Sequence, residues 1–381
     1  VTGCYSFPTM AFPFCIFAGE LMGGGGISKR LLNLANVFFG RIQGGLAIVT
    51  VVVCMFFAAI SGSGPATVAA VGGMVIPTML EKGYDKKFVL ALIAAAGSIG
   101  VIIPPSIPMV IYAVTTNSSV STLFLAGFVP GILIGLVLIA YSYFYAKKMG
   151  YKGDDEPFSV KRALRETKEG FWAILSPVII LGGIYGGIFT PTEAAGVSVI
   201  YGLFVGVFIY KEIHAKELIR VFVDSAVSSA TIMFIIACAA VYAWIMTTSG
   251  VAADLSAAIL SISENKIMIL CIINIIFLIA GCFLDANSAF YILLPIITPV
   301  LASLGVNMVH AGVFLTVNMA IGLVTPPVGI NLYVGCKAGN VSVGEICRKI
   351  VPFLIAGIVS LVLITYIEPI SMLLPGLLGQ A

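Results

Sequence analysis

The stretch Ser61-Gly62-Ser63-Gly64-Pro65-Ala66-Thr67 interrupts an otherwise apolar segment that runs from residue 43 to residue 80. A second apolar segment, residues 267 to 301, is interrupted midway by Asp285-Ala286-Asn287-Ser288. Each segment holds more than the roughly 20 apolar residues that one helix needs to cross a bilayer core. The polar and glycine-rich interruptions therefore set these two segments apart from ordinary membrane-spanning helices.

The composition of the chain indicates that most of its surface faces lipid. Of the 381 residues, 60% are hydrophobic and 10% are charged, whereas about 25% are charged in an ordinary soluble domain. The formal net charge of +3 is too small to indicate a nucleic-acid partner. We therefore expect an all-α polytopic membrane protein that contacts the lipid bilayer and binds no nucleic acid.

The common motifs for covalent chemistry are missing from the sequence. There is no GxxxxGK[ST], HExxH or GxSxG pattern, and the eight cysteines form no C-x-x-C pair. This excludes the commonest signatures of ATPases, metalloproteases and serine hydrolases. We expect a protein that is not an enzyme and that holds no cofactor.

Further apolar segments are long enough to be crossings. They are residues 5 to 22, 88 to 114, 122 to 146, 171 to 189, 194 to 210, 222 to 248, 312 to 336 and 350 to 372.

An internal repeat relates the two halves of the chain. Ile99-Gly100-x-x-x-Pro104-Pro105 matches Ile321-Gly322-x-x-x-Pro326-Pro327 at an offset of 222, and residues 21 to 31 match residues 245 to 255 at an offset of 224. Because these matches keep one order and nearly one offset, they indicate a duplication.

The duplication predicts the domain organisation. Repeat 1, residues 1–146, holds an arm at 27–41, the interrupted segment 43–80 and a helix at 88–114 that contains Pro104-Pro105. A basic loop and a connecting helix pair fill residues 147–221. Repeat 2, residues 222–381, holds an arm at 251–264, the segment 267–301, a helix at 312–336 that contains Pro326-Pro327 and a final helix at 350–372.

Lysine and arginine predict how the repeats are oriented, because short cytoplasmic loops collect these residues. Residues 29 to 87 carry six basic residues and the matching window of repeat 2 carries only Lys266, whereas after the Pro-Pro pairs the bias reverses. The two repeats are therefore expected to lie in opposite orientations. Segment 43–80 has basic residues at both ends, so we predict a re-entrant hairpin, and segment 267–301 should open to the other side.

The breaks in these helices suggest a binding site within the membrane. Because proline has no N–H, Pro104-Pro105 and Pro326-Pro327 should each end one half-helix and begin another. Half-helices that begin after Pro65, Pro105 and Pro327 would present free N–H groups to an anion. The simpler alternative is that the glycines and prolines only kink packed helices. Side-chain oxygens near the breaks that suit a small cation such as Na⁺ belong to Ser61, Ser63, Thr67, Asn287, Ser288 and Thr325.

Four acidic residues in apolar surroundings have different interpretations. Asp285 at the second interruption is expected to serve an ion site, with a purely structural carboxylate as the alternative. Thr190-Pro191-Thr192-Glu193 is typical of a capping box, so Glu193 is expected to cap a helix. Glu20 and Asp224 lie near predicted helix ends and are expected at the membrane interface.

Six motifs distributed along the chain are specific when taken together. They are AGELMGGGGISKRL (18–31), SGSGPATVAAVG (61–72), GVIIPPS (100–106), GGIFTPTEAAGVSVIYG (186–202), LDANSAFYILLPI (284–296) and GLVTPPVGINLY (322–333). With these motifs the chain resembles the large membrane subunit of the tripartite ATP-independent periplasmic (TRAP) transporters. The resemblance covers nearly the whole chain, and the family typically has more sequence ahead of the first motif.

The resemblance implies a secondary active transporter of the ion-transporter superfamily that works by an elevator motion. Such a protein uses a Na⁺ gradient to import a small organic acid, such as a C4-dicarboxylate or sialic acid, across a bacterial inner membrane. A soluble periplasmic binding protein would deliver the substrate, and a small membrane subunit would be a partner. The alternative is a channel or the permease component of an ATP-driven importer, against which the inverted hairpins argue.

The resemblance also assigns candidate site residues at the hairpin tips and breaks. Those expected to bind the substrate are Ser63, Gly64, Pro65, Thr67, Pro105, Ser106, Val328, Gly329 and Asn331. Those expected to bind Na⁺ are Ser61, Gly62, Ser63, Gly100, Ile103, Asp285, Asn287, Ser288, Gly322 and Thr325.

Overall fold

Helices make up the fold of the chain. The structure, a computed structural model, describes residues 10–153, 159–263 and 265–379, and no strand occurs within these ranges. The α-helices are Ala11–Gly24 (α1), Ile27–Phe39 (α2), Gly45–Ser61 (α3), Gly64–Glu81 (α4), Lys86–Gly97 (α5), Ile107–Thr116 (α6), Val120–Met149 (α7), Val160–Tyr185 (α8), Pro191–Leu203 (α9), Ala215–Thr248 (α10), Val251–Ile262 (α11), Lys266–Phe283 (α12), Ala286–Ser303 (α13), Met308–Gly322 (α14), Ile330–Gly339 (α15), Val343–Tyr366 (α16) and Pro369–Leu377 (α17).

Several of these helices can cross a bilayer. In the described ranges seven are long and apolar enough: α7, α8, α9 with the π-helix Phe204–Ile209 that continues it, α10, α12, α13 and α16. At 34 residues, α10 is about 51 Å long and exceeds a hydrocarbon core of roughly 30 Å. The chain is therefore a multi-pass membrane protein.

Both interrupted segments form helical hairpins. In hairpin 1 (α3 and α4), Gly62 has φ +61°, a left-handed conformation that glycine adopts at little cost. Pro65 lies in the first turn of α4, where its missing N–H removes no helical hydrogen bond. In hairpin 2 (α12 and α13) the chain reverses at Leu284, and the Asp285 carboxylate caps α13.

Both Pro-Pro pairs break a helix, as the sequence predicts. The first break separates α5 from α6 through the short 3₁₀ helix Ser98–Val101, and α6 begins after Ser106. The second separates α14 from α15, which begins after Gly329. The Pro104-Pro105 and Pro326-Pro327 peptide bonds are both cis.

The packing between elements follows the repeat. Half-helix α15 of repeat 2 packs on α4 and α5 of repeat 1, and half-helix α6 of repeat 1 packs on α13 and α14 of repeat 2. A local feature also recurs in the two repeats. A glycine in the left-handed conformation precedes each arm helix, Gly26 before α2 and Gly250 before α11. The predicted fold class, an inverted repeat with two hairpins and two broken helices, is confirmed.

The remaining helices surround this pair of repeats. Helix α1 packs on α9 and α10, and α2 packs on α3 and α8. Helix α11 packs on α13, while α7 contacts α3, α14, α16 and α17. The part of the predicted arm at Glu264 lies outside the described residues.

At its C-terminal end the chain forms two helices where the sequence predicts one at 350–372. Helix α16 begins at Val343 and ends at Tyr366, because Ile367 leaves the helical region with φ −114° and ψ 79°. Pro369 then begins α17. Pro369 has no N–H to donate to the carbonyl four residues earlier, that of Thr365, and its ring would crowd that carbonyl in a continuous helix. This accounts for a break that hydropathy alone does not reveal.

Candidate functional site: a cavity between the hairpin tips

One cavity of about 450 Å³ lies between the two hairpin tips. Both tips, both helix breaks and the outer helices α1 and α10 contribute to its wall. The lining residues are Ile16, Gly19, Glu20, Ser61, Gly62, Ser63, Pro65, Ala66, Ala69, Val101, Ile107, Pro108, Ser228, Ile232, Ile235, Asp285, Ala286, Asn287, Leu323, Ile330 and Val334.

The tip of hairpin 1 is a compact cluster of oxygen atoms. The hydroxyl oxygens of Ser61 and Thr67 lie 2.9 Å apart. The Thr67 hydroxyl donates to the Ser63 carbonyl at 2.8 Å, and the Ser61 hydroxyl lies 3.3 Å from the same oxygen. Because Ser61 and Thr67 are buried, the cluster holds the tip in one shape.

Glycine allows this tip to approach the first helix break. The backbone N–H of Ile107 donates to the Gly62 carbonyl at 3.3 Å. A Cβ added to Gly62 would lie 2.5 Å from the Pro105 carbonyl oxygen, and one added to Gly100 would lie 2.7 Å from the Ser63 carbonyl oxygen. Any side chain at either position would therefore push the tip away from the break.

The tip of hairpin 2 is organised by Asp285. Its carboxylate accepts backbone N–H groups from Asn287 at 3.0 Å and Ser288 at 3.2 Å, and it also accepts the Ser288 hydroxyl. The Asn287 side-chain oxygen is buried and has no hydrogen-bond partner in the described part of the chain. Asp285 therefore caps α13 and also lines the cavity. The Asn287 side-chain oxygen remains a hydrogen-bond acceptor without a partner among the described residues.

The second break meets the tip of hairpin 1 through Asn331. A Cβ on Gly64 would lie 2.9 Å from both amide atoms of Asn331, so the two residues are in close contact. Asn331 is 0% exposed, and within the described ranges neither its Oδ1 nor its Nδ2 has a hydrogen-bond partner. Buried polar groups are nearly always paired in proteins, so this amide is an unexplained buried group beside the tip.

The structure brings some of the predicted residues to the cavity wall and leaves others away from it. Ser61, Gly62, Ser63, Pro65, Asp285 and Asn287 line the cavity. Gly64 and Thr67 belong to the tip of hairpin 1 but do not line the cavity, and Gly100, Pro105 and Asn331 contact this tip from the two helix breaks. Residues that do not line it are Ile103, Ser106, Ser288, Gly322, Thr325, Val328 and Gly329.

The predicted residues away from the cavity wall have other environments. Gly329, with φ +52°, is the left-handed residue that precedes α15. The Ser106 hydroxyl donates to the Val101 carbonyl at 2.5 Å, and the Thr325 hydroxyl donates to the Ile321 carbonyl at 2.8 Å. Gly322 packs against Gly281 of hairpin 2. Val328 is 43% exposed.

Ile103 and Ser288 line other cavities. Ile103 lines an apolar groove on the surface, and Ser288 lines a smaller cavity between α10 and α13.

Glu20, which the sequence predicts at the membrane interface, is a cavity residue. It lines the cavity from α1, one turn after Ile16. The neighbouring Gly19 explains the position, because a Cβ there would lie 3.3 Å from the Ser61 Cα. Glu20 and Asp285 are both acidic, and no lysine or arginine of the described chain lines the cavity.

Comparisons with known proteins agree with this architecture. The family model described as "Tripartite ATP-independent periplasmic transporter, DctM component" matches residues 1–370. A solved structure, the YdaH transporter of Alcanivorax borkumensis, has a similar fold, with a TM-score of 0.64 over 93% of this chain and 85% of that chain. The sequence identity to it is 14%, so this likeness concerns the fold alone.

Curated relatives match almost the whole chain. The isethionate TRAP transporter permease protein DctMQ of Oleidesulfovibrio alaskensis is 46% identical over 98% of this chain, and the chain spans 59% of that protein. The C4-dicarboxylate TRAP transporter large permease DctM of Pseudomonas aeruginosa is 41% identical, covering 98% of this chain and 87% of that one. The sialic acid TRAP transporter large permease SiaM of Vibrio cholerae is 35% identical, covering 98% and 88%.

A family model over nearly the full length and relatives at these identities establish the family. The chain belongs to the DctM component family of the tripartite ATP-independent periplasmic transporters.

Proposed function

We propose that this chain is the membrane permease of a Na⁺-coupled importer that takes up a small organic anion through the cavity between the hairpin tips. The observation that carries the proposal is the cavity itself, because both tips and both helix breaks meet at one space of about 450 Å³. This volume is within the range of small-molecule binding sites.

Helix N-termini support an anionic substrate. The first turns of α4, α6, α13 and α15 all contribute to the cavity wall, through Pro65, Ile107, Ala286 and Ile330 among others. The first N–H groups of a helix have no partner within it, and the helix dipole places positive charge at that end. The Asp285 carboxylate already caps the end of α13, so the positive ends of α4, α6 and α15 are the ones that favour a carboxylate or another small anionic group in the cavity.

Charge balance supports a cation as the co-substrate. Glu20 and Asp285 line the same cavity, and among the described residues no basic side chain there offsets them. An anion that enters beside two carboxylates is repelled unless cations enter with it. Carboxylate, hydroxyl and amide oxygens are hard ligands that suit Na⁺, and the unpaired oxygen of Asn287 is available to bind one.

The names of the relatives support a small organic acid as the substrate. Their names specify isethionate, C4-dicarboxylates and sialic acid, all of which are small acids. We propose an acid of this kind, delivered by a periplasmic binding protein to a complex with a small membrane subunit in the bacterial inner membrane. The hairpins and broken helices would move as one body against α1, α2 and the helices between the repeats, in an elevator motion.

Uptake into proteoliposomes tests the proposal. The chain is reconstituted with its small subunit, a candidate binding protein is added outside, and uptake of radiolabelled succinate, N-acetylneuraminate and isethionate is measured. We expect accumulation of one of these acids under an inward Na⁺ gradient, and none under an equal K⁺ gradient. Accumulation that is unchanged without Na⁺, or that requires ATP while the gradient persists, would contradict the proposal.

A further inference from the structure

One acidic side chain of the cavity wall has no partner that neutralises it. Glu20 lines the cavity from α1 and is exposed to it. Within the described residues its carboxylate makes no hydrogen bond and no ion pair, and the charged group that acts on it, Asp224 of α10, is also negative. Ionisable residues inside a membrane protein are costly to keep and usually serve a function.

The other acid of the wall differs, because its charge is offset. Asp285 accepts two backbone N–H groups and the Ser288 hydroxyl, at the end of α13 where the helix dipole is positive. No lysine or arginine of the described chain lines the cavity. Glu20 is therefore the uncompensated charge that an anion meets there.

Glu20 lies on the part of the wall that faces the tip of hairpin 1. A Cβ added to the adjacent Gly19 would lie 3.3 Å from the Ser61 Cα, so α1 and this tip are in close contact. On its other side α1 packs on α9, one of the helices between the repeats. In the proposed elevator motion the hairpins move past these helices, and the charge of Glu20 does not move with them.

We propose that Glu20 makes movement of the acid depend on cations, because its fixed charge repels hairpins that hold the anion alone and admits them once bound Na⁺ neutralises the anion. This inference rests on the proposed function, since it assumes that the hairpins carry an anion and Na⁺ past α1. In this role Glu20 acts through space and is not a ligand of the ion.

The size of the cavity gives the size of the effect. A sphere of 450 Å³ is about 9.5 Å across. At that separation, and with an effective dielectric constant of about 20, one unit charge changes an equilibrium constant on the order of tenfold.

Exchange of the acid without Na⁺ measures this barrier. Proteoliposomes prepared as for the uptake assay are loaded in K⁺ buffer with unlabelled succinate, N-acetylneuraminate or isethionate, and entry of the same radiolabelled acid is followed. We expect slow exchange in wild type and exchange about tenfold faster in Glu20→Gln. Equally slow exchange in both proteins would overturn the proposal. Loss of Na⁺-driven uptake in Glu20→Gln, with no gain in Na⁺-free exchange, would make Glu20 a Na⁺ ligand and overturn it as well.

Two control variants separate charge from side-chain size. Glu20→Asp keeps the charge, so we expect the slow exchange of wild type. Asp254→Asn removes an exposed acid in the first turn of α11 that does not line the cavity, and exchange should again be slow. Fast exchange in either control would show that a charge at Glu20 is not the barrier.

A second approach leaves Glu20 in place and keeps the test informative if Glu20→Gln does not fold. Ser228 of α10 lines the same cavity and is exposed, so Ser228→Lys adds a positive charge to the wall, and Ser228→Met adds a similar length without charge. We expect fast Na⁺-free exchange in Ser228→Lys and slow exchange in Ser228→Met. Slow exchange in both would contradict the role of charge. A wild-type protein that accumulates none of the three acids under a Na⁺ gradient would contradict the proposed function itself, and this inference with it.

Discussion

Gly62→Ala is the substitution that most directly perturbs the contact between hairpin 1 and the first helix break. Gly62 has φ +61°, and an alanine Cβ there would lie 2.5 Å from the Pro105 carbonyl oxygen. The tip must then move away from α6, and the hydrogen bond from the Ile107 N–H to the Gly62 carbonyl is lost. We expect the variant to fold with a displaced tip and weaker Na⁺ binding.

The magnitude follows from two separate costs. An alanine in the left-handed region costs roughly 1–2 kcal/mol, and the lost hydrogen bond costs about 1 kcal/mol more. Gly83→Ala isolates the first cost, because Gly83 has φ +79° and no described atom beyond its neighbours lies within 4 Å of the added Cβ. The difference of about 1 kcal/mol between the variants corresponds to roughly a fivefold change in an equilibrium constant.

Two measurements are made on each protein. The first is the Na⁺ concentration that gives half-maximal uptake in proteoliposomes, and the second is the free energy of unfolding from chemical denaturation in detergent. We expect Gly62→Ala to raise the half-maximal Na⁺ concentration about fivefold, since a displaced tip must be restored before the ion binds. Gly83→Ala should lower unfolding stability alone. A wild-type Na⁺ dependence in Gly62→Ala, with the stability loss of Gly83→Ala, would refute the reasoning.

Three further substitutions test the remaining parts of the site and fold. Asn287→Ala removes a buried oxygen that lacks a partner among the described residues. The free energy of unfolding should therefore stay within about 0.5 kcal/mol of wild type, while the Na⁺ dependence of uptake weakens. An unchanged Na⁺ titration would exclude this residue from the Na⁺ site. Asn331→Leu should raise the melting temperature, because an unpaired buried amide is replaced by an apolar group of similar size, and should reduce uptake; full uptake would mean that Asn331 has no role in transport. Thr190→Ala should lower the free energy of unfolding by about 1 kcal/mol without altering Na⁺ dependence, because Thr190 and Glu193 cap α9; no loss in denaturant titration would contradict the capping role.

Features that depend on neighbouring residues alone were predictable from the sequence. The capping box at Thr190-Pro191-Thr192-Glu193 is confirmed, since the Thr190 N–H donates to the Glu193 carboxylate at 2.8 Å. The helix breaks at both Pro-Pro pairs are likewise set by the missing N–H of proline. The internal repeat made the overall fold predictable as well, because helix breaks at matching positions in the two copies imply hairpins at matching positions.

Features that depend on contacts between distant segments were not predictable. Glu20 lines the cavity because Gly19 lets α1 lie against Ser61, and hydropathy does not report how a helix is rotated. The contact of Asn331 with Gly64 arises because α15 packs on hairpin 1 of the other repeat. No residue spacing within α15 or hairpin 1 indicates that a half-helix of one repeat packs on the hairpin of the other.

Prediction was weakest for side-chain direction at the breaks. Ile103 belongs to the same break as Val101, yet Val101 lines the cavity and Ile103 lines the groove on the other side. The chain there passes from a 3₁₀ helix through two prolines, so neither helical nor extended periodicity assigns a face. The motif locates the break, and only the three-dimensional structure distinguishes its two sides.

The central claim, that both hairpin tips form one substrate cavity, is tested most directly by cysteine labelling. Ala66→Cys and Ala286→Cys, one from each tip, are made in a background without the eight native cysteines, with the exposed Ser303→Cys as control. Their rates of reaction with a maleimide are measured with and without Na⁺ and the transported acid. We expect Na⁺ and the acid together to slow labelling at both tips and to leave Ser303→Cys unchanged. Protection at one tip only, or at neither, would contradict a shared cavity.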